Sequence, residues 1–329
     1  MSLPRALIIA FLCLSLVPWT LAQDESYEQH YERHVDVAPT EEDIGEDYNV
    51  PAVQRPYPRS ISLEILDVSL LVLAMGFGTW IVLAKRSRRW FVVLTIACLF
   101  YFGFYRDGCV CPIGSIQNVA VSFVDPSYVV SYSVIAFFTL PLMLAVFFGR
   151  VFCGGVCPLG AIQELMLLRP VQVPRRLDRV LGSLKYIYLA LALVFAIRPA
   201  VTRDFLICRF DPFVGFFRGD GPAYMLITGG AILAVGMFVG RPFCRYLCPY
   251  GVLLSIVSRL SWTGVTITPD KELDCGLCTE ACPYGAIEEM RAVRSACLFC
   301  ARCYNACPRQ RVESGLPGSG ASDPVEQVL

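Results

Sequence analysis

Cys297, Cys300, Cys303 and Cys307, with Pro308 directly after them, are spaced C-x2-C-x2-C-x3-C-P. In bacterial ferredoxins that run binds iron-sulfur cubanes, with three thiolates on one cluster and the fourth on its neighbour. Upstream, Cys275, Cys278 and Cys282 before Pro283 repeat the last three members of the pattern, and Glu272 stands where the first should be. Crossed ligation then assigns Cys282, Cys297, Cys300 and Cys303 to one [4Fe-4S] cluster and leaves Cys275, Cys278 and Cys307 for a second. That second set can take oxygen from Glu272 or Asp274, hold a [3Fe-4S] cluster, or hold none, and the spacing does not choose among these. Structural zinc is the weaker reading, because zinc sites favour two separated C-x-x-C knuckles.

Two more cysteine pairs share one frame at distant positions, G-R-V-F-C-G-G-V-C-P-L-G from Gly149 and G-R-P-F-C-R-Y-L-C-P-Y-G from Gly240. Cys153, Cys157, Cys244 and Cys248 together make a complete four-thiolate set. Proline after the second cysteine suits the first turn of a helix, where a missing N–H costs nothing. A helix start offers free N–H groups and partial positive charge to an anionic cluster, and Gly154, Gly155, Gly160 and Gly251 permit close backbone approach. A fainter echo runs through Cys109 and Cys111 before Pro112, and through Cys208 with Asp211 before Pro212. Cys109, Cys111 and Cys208, with Asp211 as a candidate fourth ligand, form an outer set for which a cluster and a disulfide remain equal alternatives.

The elements that must carry these motifs are apolar. Of the 329 residues 55% are hydrophobic and 17% charged, with a formal net charge of +0, which excludes an ordinary soluble domain and points to a membrane protein. The 16 cysteines fall mostly in ligand-type groupings, so metal rather than a disulfide framework explains the majority. Apolar runs at about Ile65 to Ala84, Trp90 to Tyr105, Tyr128 to Phe148, Leu181 to Ile197 and Tyr224 to Val239 predict about five transmembrane helices. Lys85, Arg86, Arg88 and Arg89, then Arg150, Arg169, Arg175, Arg176 and Arg179, place their loops in the cytoplasm by the positive-inside rule. The frames from Gly149 and Gly240 follow the third and fifth runs, hence on the cytoplasmic side, where metal ligation is favoured over inert buried thiols.

Residues 1 to 22, apolar after Arg5 and ending Thr-Leu-Ala, read as a signal peptide that takes Cys13 with it, an uncleaved anchor being the alternative. Residues 23 to 60 are rich in Asp, Glu, Tyr and Pro and read as an acidic, disordered extracytoplasmic segment. His30 and His34, the chain's two histidines, lie there and are assigned no function. The expected organisation is an all-α polytopic membrane domain at 61 to 262, built of two parallel repeats, then a small α+β bacterial-type ferredoxin domain at 263 to 308 and a flexible tail at 309 to 329. Residues 251 to 262 are expected to form an amphipathic surface helix.

The paired G-R-x-F-C-x3-C-P-x-G frames followed by a ferredoxin module resemble the membrane polyferredoxins of the NosR and NapH type over about Ile65 to Pro308. The resemblance implies [4Fe-4S] clusters and electron transfer between the membrane and a partner on its outer face. It matches Cys153, Cys157, Cys244 and Cys248 to the membrane motifs and the seven cysteines from Cys275 to Cys307 to the ferredoxin ligands. Residues 23 to 60 do not resemble the extracytoplasmic flavin domain of NosR-type proteins. The expected function is a single-electron relay in a bacterial inner membrane, its ferredoxin domain cytoplasmic. Its expected partners are the lipid bilayer, a cytoplasmic electron donor or acceptor and an extracytoplasmic oxidoreductase or carrier, with a quinone as a further candidate and nucleic acid excluded. A redox-sensing or maturation factor and a quinol-oxidising subunit are the rival readings, the last using Glu64 and Asp67, which end-of-helix solvation explains more simply. No catalytic triad, nucleotide loop or acid-base pair is evident, so bond-making catalysis is not expected.

Overall fold

A computed structural model describes residues 60–106, 112–125, 130–198, 211–219, 223–267, 276–288, 291–307 and 312–315. The expected signal peptide, the acidic segment after it, most of the tail, Cys109, Cys111, Cys208, Cys275, Glu272 and Asp274 lie outside the described residues.

Helix α1 (Ile61–Trp80) continues through a wider π turn at Ile81–Lys85, and α2 (Arg88–Cys98) does the same at Leu99–Tyr105. Then come α3 (Pro112–Val124), α4 (Tyr132–Phe148), α5 (Pro158–Met166), α6 (Arg175–Ala196), α7 (Pro212–Arg218), α8 (Ala223–Gly236), α9 (Pro242–Tyr246) and α10 (Pro249–Val257). Among the described residues three stretches are long and apolar enough to cross a membrane: Ile61–Lys85, Arg88–Tyr105 and Arg176–Ala196. α4 and α8 coincide with the other two expected runs but have 17 and 14 residues, shorter than a full span. Outward faces stay apolar, as with Leu73 and Phe77 on α1 and Ile187, Leu191 and Val194 on α6, which suits lipid rather than water.

The C-terminal module has two small antiparallel sheets. β1 (Gly264–Ile267) pairs with β4 (Val312–Gly315), and β2 (Ile287–Glu288) pairs with β3 (Arg291–Ala292). Two short helices, α11 (Leu277–Glu280) and α12 (Arg302–Ala306), follow the two ferredoxin motifs' leading cysteines and pack on each other. The expected surface helix at 251 to 262 is corrected: α10 buries Tyr250, Val252, Leu254 and Ser255, and within 251 to 262 only Ile256, Arg259, Leu260 and Trp262 are exposed. Its start is tied to the Cys248 motif and its body packs against α4 and α6, so most of its surface is inside.

Glycines let the module approach the membrane-side frames. Gly149 takes the left-handed conformation, φ +68, and a Cβ there would stand 2.5 Å from the Phe299 ring. A Cβ on Gly154 would strike the Leu298 carbonyl, and one on Gly240 would sit 2.5 Å from the Pro283 carbonyl. Each frame therefore meets the module where only glycine fits.

Glu164 on α5 closes the assembly. Its carboxylate accepts from Arg241 Nε at 3.0 Å and from Arg302 Nη2 at 2.8 Å, and also from Arg88 and the Tyr284 hydroxyl. Arg88 Nη1 further donates to the Cys300 carbonyl at 2.8 Å. Arg241 donates to the Cys153 carbonyl and, at 2.6 Å, to the Gly154 carbonyl. Its backbone is left-handed, φ 52, a strained state for arginine that these bonds hold in place. Burial alone raises the Glu164 carboxyl, but Arg241, Arg302 and Arg88 more than reverse this and hold it at about 2 against an ordinary 4.5.

Three outcomes are expected. Gly154→Ala should destabilise the detergent-solubilised protein by about 1–3 kcal/mol through overpacking. Gly76→Ala, where no atom lies within 4 Å, should leave thermal unfolding unchanged or slightly raised. Glu164 is more acidic folded than unfolded, so its contribution is complete above pH 4.5 and lost as pH falls through about 2. The difference is about 3 kcal/mol. Hydrogen exchange across that pH window should show acid loosening of the module in wild type and none of that acid dependence in Glu164→Gln, which starts looser at neutral pH.

Candidate metal centre

The first cysteine set is built by two helix starts. Cys153 sits in a π turn at Phe152–Val156, and Cys157 is the cap residue of α5 with Pro158 in its first turn. Cys248 caps α10 in the same way, Pro249 follows, and the Gly251 N–H donates to its Sγ at 3.3 Å. These are the helix starts the C-P spacing predicts. Cys153, Cys157 and Cys248 are buried and Cys244 is half-buried. The thiols are near enough to feel one another's charge: Cys244 that of Cys153, and Cys248 that of Cys244, Cys153 and Cys157. Gln163, fully buried, spans the set: its Nε2 donates to Cys244 Sγ at 3.4 Å while its Oε1 accepts from the Phe243 N–H at 3.0 Å. Burial pushes the Cys244 thiol up to about 11 and Cys248 well above its ordinary range.

The second set encloses a cavity in the module. Cys282, Cys297, Cys300 and Cys303 line it together with Tyr284 and Leu298. Phe299 and Ala301, between these cysteines, take left-handed backbone conformations, φ 53 and 61. Alternating backbone of this kind turns successive N–H groups toward one concavity, which suits an anion. The Phe299 N–H bonds to the Cys297 sulfur and the Arg302 N–H to that of Cys300. Burial outweighs these bonds and pushes the Cys297 thiol up to about 12. Cys278 lies within charge range of Cys303, and Cys307 is half-buried at the end of α12.

Four thiols in each set are the donor chemistry of an iron-sulfur site; among the described residues no three His, Cys, Asp or Glu side chains are grouped to hold a single metal ion. Thiols must lose their protons to ligate a metal, so metal binding at such sets would be coupled to folding.

Asp211, a candidate outer ligand, is buried and caps α7 by accepting from the Phe213 N–H at 3.0 Å. Burial pushes its carboxyl up to about 6 although that N–H opposes the change. Asp67 is not solvated at a helix end: it is 1% exposed, 2.9 Å from Arg106 Nη2, and accepts from the Tyr101 hydroxyl at 2.8 Å. Glu64 accepts from Ser131 at 3.2 Å. Glu164, Gln163 and the site roles of Arg150 and Arg241 were not evident from spacing, although an arginine stands second in both frames and marked the positions.

A family model described as a 4Fe-4S binding domain matches residues 130–176 and 222–264. YccM of Escherichia coli K12, named for electron transport, is 32% identical over 149 residues, 43% of this chain and 42% of its own. The uncharacterized protein MJ0750 of Methanocaldococcus jannaschii is 30% identical over 213 residues, 64% of this chain and 87% of its own. The regulatory protein NosR of Pseudomonas aeruginosa is 26% identical over 181 residues, 48% of this chain and 24% of its own. The chain thus spans under half the length of YccM and about a quarter of NosR. No solved structure matches it significantly. With both C-x3-C-P frames falling inside the matched segments, the chain belongs to the 4Fe-4S binding family of NosR-type membrane polyferredoxins.

Proposed function

We propose that this protein is an integral membrane iron-sulfur protein that relays single electrons between the cytoplasmic side and an extracytoplasmic redox partner. The observation that carries the reading is the gathering of two separate four-cysteine sets on either side of one buried arginine-glutamate hub. Cys153, Cys157, Cys244 and Cys248 would hold one cluster, and Cys282, Cys297, Cys300 and Cys303 another. Cys278 and Cys307, with Cys275, would serve a third, and Cys109, Cys111 and Cys208 an outer one. A [4Fe-4S] cluster, when bound, accepts and releases one electron with little change in shape.

The chain's own residues supply the rest. Gln163 and the Gly251 N–H donate to sulfur in the first set, and the Phe299 and Arg302 N–H groups do so in the second. Such donors offset thiolate charge and set reduction potential. Phe152 and Tyr250 stack edge to face beside the first set and help exclude water. Five membrane spans in two parallel repeats, with a cytoplasmic module, are supported by the matching positions of α1, α2, α4, α6 and α8 and by the basic residues gathered at the module's face. YccM's name supports the electron-transfer assignment. A quinol-oxidising variant of this role draws support from buried Asp67 with Arg106 and Tyr101, since an ionisable residue within an apolar span marks a candidate functional site.

The test is anaerobic iron and acid-labile sulfide analysis with a spectroscopic redox titration. Wild type should hold at least two reversible clusters. Cys153→Ala should lose one cluster's worth of iron and keep the module's signal, and Cys300→Ala should do the reverse. Iron confined to the module, with Cys153, Cys157, Cys244 and Cys248 all open to alkylation, would overturn the relay. Reduction of the clusters by a quinol analogue, abolished in Asp67→Asn, would select the quinol-oxidising form.

A further inference from the structure

Arg150 and Arg241 hold the same place in the two frames and both are buried, at 8% and 1% exposed. Their charges are answered differently. Arg241 is paired with Glu164. Arg150 has no carboxylate partner among the described residues, and its Nε has no hydrogen-bond partner there. Its Nη1 donates to the Ser295 carbonyl at 2.9 Å, two residues before Cys297. Its Nη2 lies 3.5 Å from the position of a Cβ on Gly251, the residue whose N–H reaches Cys248 Sγ. The guanidinium thus touches the approaches to both cysteine sets, and its charge is felt by Cys244 on one side and Cys297 on the other. Nearby Lys185 adds charge of the same sign. A buried cation needs an anion, and the two thiolate sets are the anions within reach.

We propose that Arg150 is a potential-setting residue whose guanidinium, wedged between the Ser295 carbonyl and the Gly251 turn, is the shared counter-charge of the clusters on either side. The inference rests on the cluster assignment above. An electron added to either cluster makes it more negative, so a fixed cation beside it favours the reduced form and raises the midpoint. Removing it should lower both midpoints.

The experiment is a redox titration of the detergent-solubilised holoprotein, read by electron paramagnetic resonance, with iron content measured on the same samples. Arg150→Gln should keep wild-type iron and shift the reduction equilibrium of both clusters at least tenfold toward the oxidised form, 59 mV for one electron. Arg150→Lys, which keeps the charge, should recover most of the shift. Arg150→His should make both midpoints pH-dependent across the histidine range, beyond any slope seen in wild type. That variant gives an answer even where Arg150→Gln fails to assemble. Unmoved midpoints in Arg150→Gln at full iron content, or a pH response in Arg150→His no different from wild type, would overturn the role of Arg150 while leaving the clusters standing. Wild-type protein without a cluster at the Cys153 set would overturn the cluster assignment itself.

Discussion

The structure depends on the rule that charge taken out of water must be answered by charge of the opposite sign. Glu164 is 4% exposed and meets three guanidinium groups, those of Arg88, Arg241 and Arg302. Three positive charges against one negative leave an excess within the protein, before Arg150 is considered. Such an interior is tolerable only beside other anions, and cysteine thiolates on both sides are suited to that part. The hub is therefore the seam joining the ferredoxin module to the helices as well as a share of the electrostatic setting of the cysteine sets.

Two frames of identical pattern meet in a reciprocal way. A Cβ on Gly160 would approach the Cys153 carbonyl and the Arg241 guanidinium, and one on Gly251 would approach the Cys244 carbonyl and the Arg150 guanidinium. Each frame's last glycine thus packs on its own first cysteine and on the arginine of the other frame. The exchange explains why arginine and glycine recur at fixed offsets from the cysteines, and it supports reading the frames as two copies of one unit. The copies have diverged where they face the module. Glu164 and Ser255 hold equivalent positions, the first gathering arginines and the second donating to the Ser295 carbonyl at 3.1 Å.

What was legible in the sequence was what depends on near neighbours. Proline after cysteine marked the starts of α5 and α10, because a fixed φ and a missing N–H fit only that turn. The C-x2-C-x2-C run marked the module, in which Cys282 lines a cavity beside Cys297, Cys300 and Cys303. What was not legible depends on partners far apart in the chain. Arg88 reaches Cys300 across 212 positions and Tyr284 reaches Glu164 across 120, and no spacing rule encodes such pairs. Residues 251 to 262 misled for a similar reason: their polar positions suggested solvent, yet Ser255 and Ser258 are buried against carbonyl oxygens.

The bond from Arg88 to the Cys300 carbonyl joins the start of α2 to nearly the last described motif. A ribosome releases the chain from its N-terminal end, so Arg88 is inserted and waiting well before Cys300 and Arg302 exist. Arg88 and Arg150 remain without the Cys300 and Ser295 carbonyls until translation has passed that point. The seam between the helices and the module is thereby closed late, on a nearly finished chain, and a truncation anywhere before residue 300 would leave Arg88 without the Cys300 carbonyl and Glu164 without the Arg302 guanidinium.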